Sequence, residues 1–292
     1  MPRDTFHNGS NSGGWGGPDQ EHRIDAIEAC IKGLRKCEVS TNHLDLWWQT
    51  RSAWVAHQCA DLSARGHQSR DNPAAAVAPA LERIAKHARR IVYLSAPLKT
   101  AHPLFQQPNP LRAMFEQIER LIETSSLEWT FLRPGMFAAN ALLWWAPQTR
   151  AGDVVRWPYL AVPTAPIDPR DIATVAVRAL CDDGHAGAEY VLTGPQSLTQ
   201  FEQVSTIGHA IVRSLRIEEI SPDEARRELL TIGPLVAVNM LLQAWAAAIG
   251  QPAHVTSTFA EIIGAPPKTF LDWATDNAAE FRAYGNGRAA EA

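Results

Sequence analysis

The chain is short of the features that mark disulfide scaffolds, membrane spans and nucleic-acid binders. Its four cysteines, Cys30, Cys37, Cys59 and Cys181, form no C-x-x-C pair, which excludes a disulfide scaffold or a cysteine zinc site and leaves free thiols. No apolar run reaches the length of a membrane span, and the N-terminus is polar and glycine-rich where a signal peptide needs an apolar core. The net charge of −4 and pI near 6.2 carry no basic bias, so neither nucleic acid nor an anionic membrane is expected as a partner. Also missing are a G-x-S-x-G elbow, a P-loop and an H-E-x-x-H pair. What remains reads as a cytoplasmic globular protein of 292 residues, long enough to bury a sizeable core.

The stretch that organises the rest is Leu127 to Asn140. Trp129 to Leu132 has the aromatic, β-branched and apolar content of a buried strand, and Arg133-Pro134-Gly135 stops it, because proline cannot extend a ladder and glycine permits a sharp exit. Ligands of open parallel sheets bind beyond the carboxyl ends of the strands, so Met136, Phe137 and Asn140 become a candidate pocket wall. An ordinary strand exit with apolar residues folding onto the core fits the same residues.

Regular α/β patterning begins at Pro73. Val77, Leu81, Ile84 and Ala88 share a helix face, and Ile91 to Leu94 forms a short strand closed by Ser95-Ala96-Pro97. Asn109-Pro110 should start a helix carrying Leu111, Met114, Phe115, Ile118, Leu121 and Ile122 on one face. After the wall come a short apolar helix from Phe137 to Trp145 and an extended segment from Val154 to Tyr159. Asp168 caps a helix bearing Ile172, Val175, Ala176, Ala179 and Leu180, with Gly184 and Gly187 after its end. Glu189 to Thr193 is a strand closed by Gly194-Pro195. Thr199 with Glu202 and Ser221 with Glu224 read as capping boxes around a strand from Leu215 to Ile220. The C-terminal third is mainly helical, from Leu235 to Ile249 and from Phe270 to Phe281, with a frayed tail from Gly285.

Four motifs in order, Arg90-Ile-Val-Tyr-Leu-Ser-Ala-Pro97, Leu132-Arg-Pro-Gly-Met-Phe137, Ile167-Asp-Pro-Arg-Asp-Ile-Ala173 and Tyr190-Val-Leu-Thr-Gly-Pro195, resemble the NmrA-like, atypical short-chain dehydrogenases over about Val77 to Leu230. The resemblance implies a Rossmann-type parallel sheet with helices on both faces and a smaller, mainly helical C-terminal part. It divides the chain into an atypical region 1–72, an NAD(P)-binding core 73–195 and a substrate-side part 196–292. It implies NADP or NAD as cofactor at Leu94, Ser95, Ala96, Pro97, Pro134, Gly135 and Phe137, and a small organic substrate near His102, Asn140 and Trp144. Ser95, Ala96, Pro134, Gly135, Phe137 and Asn140 are then expected to line one concavity. Asp168 and Asp171 match the family's acidic pair, for which capping is favoured over catalysis. A homodimer is compatible with the family.

Two parts of the pattern are absent. No tyrosine has lysine four positions on: Pro97 follows Tyr93, Pro163 follows Tyr159, Gly194 follows Tyr190 and Arg288 follows Tyr284, so the usual acid pair is missing and the catalytic residues are unknown. The helix from Leu111 to Glu123 also lacks the lysine that some family members carry, and Arg112, always charged, is a poor proton donor. The glycines at 13, 14, 16 and 17 follow a segment that is no strand, whereas a dinucleotide fold needs its glycine turn directly after its first strand. Read one nucleotide later, the codons around Phe6 to Gly16 permit Thr-Gly-Ala-Thr-x-Gly-x-Gly, the family's phosphate loop, which suggests a frameshift upstream of about Pro73. The expectations are therefore an oxidoreductase, a non-catalytic dinucleotide sensor, or an impaired product whose damaged loop binds dinucleotide weakly.

Overall fold

The computed structural model describes residues 73–109 and 111–282. The expectations for residues 1–72, the frameshift among them, and for the tail from Gly285 lie outside the described residues, as does Pro110.

Helix α1 (Pro73–Ala85) leads into strand β1 (Arg90–Leu94), and a loop carrying the four-residue helix α2 (Pro103–Gln106) leads to α3 (Arg112–Glu123). Strand β2 (Glu128–Pro134) follows, then the short helices α4 (Asn140–Trp144) and α5 (Ala146–Ala151) and strand β3 (Val154–Trp157). After β4 (Pro163–Thr164), helix α6 (Pro169–Cys181) precedes β5 (Ala188–Leu192) and β6 (Leu198–Thr199). The chain closes with α7 (Gln200–Ala210), β7 (Arg216–Glu219), α8 (Pro222–Leu229), α9 (Leu235–Ala247), α10 (Thr258–Ile263), α11 (Phe270–Asp276) and a 3-10 turn at Ala278–Phe281.

Strands β1, β2 and β5 form one parallel sheet in that order, with Leu94 opposite Leu132 and Pro134 opposite Leu192. Side chains alternate across a strand, so β2 serves two cores. Phe131 joins Leu81, Phe115, Ile118 and Ile122 on the side of α1 and α3. Leu132 joins Ile172, Val175, Leu192 and Phe259 on the side of α6 and α10. Helices thus cover both faces, and the fold is the α/β, Rossmann-type arrangement expected from the sequence.

A third core holds the C-terminal helices together with Ala138 to Trp157. Its centre is four tryptophans, Trp144, Trp145, Trp157 and Trp245, with ring centroids 5.4 to 5.9 Å apart. The cores do not divide at residue 195. Residues of α4, α5 and β3 pack with the C-terminal helices, while α10 returns to the sheet, so the two parts interleave along the chain.

Local signals worked as their chemistry dictates. Asp168 caps α6 by accepting from the Arg170 N–H at 2.8 Å, and both expected capping boxes form. Helix α3 starts two residues after Pro110, but Asn109 Oδ1 still accepts the Leu111 N–H at 2.8 Å. The single helix expected over Phe270 to Phe281 is broken at Asn277, whose side-chain amide donates to the Trp273 carbonyl.

Candidate functional site

The carboxyl ends of β1, β2 and β5 open on the same edge of the sheet. Ser95 N–H donates to the Leu132 carbonyl at 2.7 Å, and Gly135 N–H donates to the Leu192 carbonyl at 2.9 Å, so the Ser95 and Gly135 exits are laced to neighbouring strands. Beyond Gly135, Phe137 bridges to Ile167 and packs on the α6 side with Leu94, whose side chain is likewise half-buried there. Pro134 is buried at the end of β2, and Ala96 and Pro97 are half-buried in the β1 exit loop.

Beneath this edge lies a buried ion network. Arg133, 2% exposed, donates to both oxygens of Glu119 at 3.1 and 2.8 Å and to Glu189 at 2.6 Å. Lys99 caps the other Glu189 oxygen at 2.6 Å, and Ser95 Oγ donates to Glu119 at 2.6 Å. Burial alone would raise the Glu189 carboxyl, but the Lys99 hydrogen bond and the Arg133 charge outweigh it and hold the group below its ordinary range. The Ser95 hydroxyl is therefore turned inward, with its proton committed to Glu119. Sequence reading took Arg133 only as a strand stop. A charge inside a strand otherwise buried requires partners, and that signal was present.

Arg112 stabilises the loop above the network, donating to the carbonyls of Leu98 at 2.7 Å and Phe105 at 3.0 Å. His102 caps α2: its Nδ1 accepts the Leu104 N–H at 3.2 Å, while Nε2 lies 2.8 Å from the Pro252 carbonyl. A carbonyl only accepts and a backbone N–H only donates, so these partners fix His102 as the neutral Nε2–H tautomer. His102 also lines an open concavity of about 530 Å³ with Leu98, Lys99, Ala101, Pro103, Gln106 and Gln107. Of the residues expected from the sequence, His102 alone lines this concavity.

Phe105 covers Gly135: a Cβ added there would sit 3.5 Å from the end of its ring. The Phe105 ring also meets His102 at 5.9 Å and His254 at 6.5 Å, and the two imidazoles are 6.2 Å apart. Asn140 opens α4, half-buried, with its backbone N–H on the Phe137 carbonyl. Trp144, expected at the substrate, is 9% exposed and packed on the three other tryptophans; the structure places it in the interior. Phe105 and His254 were missed. Phe105 sits in a helix too short for a period, and His254 arrives only through the return of the chain after α9.

No family model matches the chain. It is 40% identical over 164 residues to the (4-alkanoyl-5-oxo-2,5-dihydrofuran-3-yl)methyl phosphate reductase of Streptomyces griseus, covering 56% of this chain and 58% of that protein. It is 32% identical over 167 residues to the NAD(P)H azoreductase of Xenophilus azovorans, with the same coverage of 56% and 58%. The chain thus spans less than two thirds of the length of these relatives. Among solved structures, an NADPH-dependent quinone oxidoreductase from Escherichia coli, complexed with NADPH, superposes with a TM-score of 0.57 at 20% identity over 70% of this chain and 71% of that one. These likenesses and the Rossmann-type sheet agree with the family resemblance carried by the four sequence motifs.

The Ser95 loop and the Pro134–Phe137 loop leave adjacent parallel strands on one edge, and the space that a side chain at Gly135 would take is filled by the Phe105 ring and Thr193. Residues 13–17, where a phosphate turn would be sought, lie outside the described residues. Asp171 of the acidic pair is 5% exposed and accepts the Lys268 N–H at 2.8 Å. Burial, reinforced by the nearby Asp168 charge, pushes its carboxyl up to about 6 despite that bond. Asp168, also buried, is held by the Arg170 guanidinium at 2.6 Å. Asp168 therefore caps the start of α6 as expected, whereas Asp171 does not cap it but ties its first turn to the loop before α11. Among the described residues no group of histidine, cysteine and carboxylate side chains suits a metal ion, and no helix is long and apolar enough to cross a membrane.

Proposed function

We propose that the chain is an NAD(P)H-dependent reductase of small, conjugated, electron-poor organic molecules. The observation that carries the reading is the shared edge of β1, β2 and β5, where an inward-locked Ser95 loop, a Gly135 covered by Phe105, and the side chains of His102 and His254 come together. The cofactor set proposed is Leu94, Ser95, Ala96, Pro97, Pro134, Gly135 and Phe137, and the substrate set His102 and Asn140. A reduced nicotinamide bound at this edge supplies hydride. Ser95 and Arg133 hold the loops, and Phe105 keeps water from the Gly135 side. The acidic net charge argues for small-molecule partners, and the reading places the chain in the cytoplasm.

The missing Tyr-x-x-x-Lys pair selects the substrate class. Hydride addition to an isolated ketone leaves an alkoxide that needs a strong, positioned acid. A conjugated acceptor spreads the charge over its own heteroatoms, so hydrogen bonds suffice. Two relatives have names that fit this class, one acting on an acyl-dihydrofuranone phosphate and the other on azo compounds. The test is to follow loss of reduced nicotinamide with an azobenzene dye, a 2-alkanoyl-butenolide and a simple ketone. Turnover of the first two and none of the ketone is expected; reduction of the ketone alone would sink the reading.

The same missing acid favours a second reading, a non-catalytic dinucleotide sensor. Saturable NADPH binding with no turnover of any acceptor would support it instead.

A further inference from the structure

We propose that His254 is the substrate-facing imidazole of this site, donating a hydrogen bond to the heteroatom of a conjugated acceptor as hydride arrives. The inference rests on the reductase reading above. The sequence pointed to His102, yet both nitrogens of that ring are engaged, one accepting from Leu104 N–H and the other donating to the Pro252 carbonyl. It can neither give nor take a proton without releasing α2 or the loop at Pro252. His254 differs: among the described residues neither ring nitrogen has a hydrogen-bond partner, and the ring is half-buried against Phe105 and His102.

Its position is built from outside the ring. Thr256 N–H donates to Thr193 Oγ1 at 2.9 Å and Thr256 Oγ1 donates to the Val191 carbonyl at 2.9 Å, so the segment is tied across the end of β5. Ala253 N–H donates to Ser197 Oγ at 3.2 Å on the other side of the imidazole. These bonds hold His254 beside the ring that covers Gly135, at the edge where β2 and β5 end. Phe105, His102 and His254 form a cluster of mutually tilted rings, and His254 is the member whose ring nitrogens have no hydrogen-bond partner among the described residues. Burial, with the neighbouring His102, lowers the His254 pKa and keeps the ring neutral, with one N–H to offer. A neutral imidazole suits a charge that is spread rather than localised.

With reduced nicotinamide bound, its C–H bond would break as a C–H or N–H bond forms at the acceptor atom that takes hydride, while the acceptor π bond breaks and its electron pair moves to the conjugated heteroatom. The His254 N–H stabilises that charge until water, admitted at this half-exposed ring, protonates it. The oxidised nicotinamide balances the two electrons gained by the acceptor.

Two measurements on the full chain test the assignment. In the first, histidine imidazole nitrogens are followed by NMR while a soluble azobenzene carboxylate is added to the protein, with and without oxidised dinucleotide. The His254 ring signals should move on binding while those of His102 keep their Nε2–H pattern. In the second, His254→Ala should lower kcat for the dye on the order of 100-fold at millimolar NADPH, His254→Gln should restore part of it, and the dissociation constant for NADPH should stay within about twofold. Unmoved His254 signals, absence of dye binding, or full activity in His254→Ala would overturn the assignment. If the chain reduces no acceptor, the reductase reading fails by itself, and the imidazole signals still decide whether His254 faces the bound π system.

Discussion

At the scale of single residues, two buried charged groups set the expectations. Asp171 is 5% exposed with its carboxyl raised from 3.8 to about 6 by burial. A carboxyl whose folded value is raised binds its proton more tightly in the native state, so native stability falls as pH rises from about 4 to about 6 and stays lowered above that. Asp171→Asn keeps an acceptor for the Lys268 N–H and removes the charge, and it should gain on the order of 2 kcal/mol at neutral pH and little at pH 4. Urea unfolding at the two pH values checks this; an equal effect at both would refute the burial argument. Glu119→Ala is expected to act in the opposite direction. It leaves Arg133 half-paired in the interior and frees Ser95, and one partner lost from a buried pair costs about 3 kcal/mol. The loss should appear as a lower urea midpoint together with weaker NADPH binding, because the same carboxylate holds the β1 exit loop.

At the scale of elements, what could be read from the sequence follows from how local each signal is. The parallel strands were legible from short apolar runs closed by proline or glycine, the long helices α3 and α6 because an apolar period repeated over several turns, and Thr199 and Ser221 because each stands three residues before a glutamate. Thr269 makes a third capping box, but with Asp272 in place of glutamate, and it escaped the pattern. Helix α10 has six residues and ends at Gly264 with φ 76°, too short for periodicity to register. The site was legible only in its strand exits; its floor, Glu119 with Arg133 and Glu189, and its wall, Phe105 with His254, join residues far apart in sequence. Thr199→Ala should cost about 1 kcal/mol by removing the cap of α7. Gly194→Ala should cost more, about 1–3 kcal/mol, because its Cβ would fall 2.1 Å from the Pro166 carbonyl oxygen, a backbone atom that cannot swing aside. Thermal melts of the two variants rank them, and a Gly194→Ala protein as stable as the native one would contradict the packing at the β5 exit.

At the scale of the whole molecule, the cofactor edge proposed at β1, β2 and β5 reaches only one end of a dinucleotide, so the proposal needs a phosphate site elsewhere. Most of the affinity of such folds for pyrophosphate arises from backbone N–H groups of a glycine turn at a helix N-terminus, directly after the first strand. In this chain the glycines at 13, 14, 16 and 17 follow Thr5 to Ser12, a stretch without the apolar content of a strand, while the neighbouring reading frame permits the expected loop. The edge at Ser95 and Gly135 would then engage the nicotinamide end with little help from the phosphates. NADPH is accordingly expected to bind the chain as written in the millimolar range, and a version carrying the shifted frame upstream of Pro73 in the micromolar range. Calorimetric titration of NADPH and NADH against both proteins measures the difference, and resequencing the DNA across codons 5 to 75 shows which frame the gene holds. Micromolar binding by the chain as written would mean that residues 1–72 supply a phosphate site by another route and would overturn the frameshift.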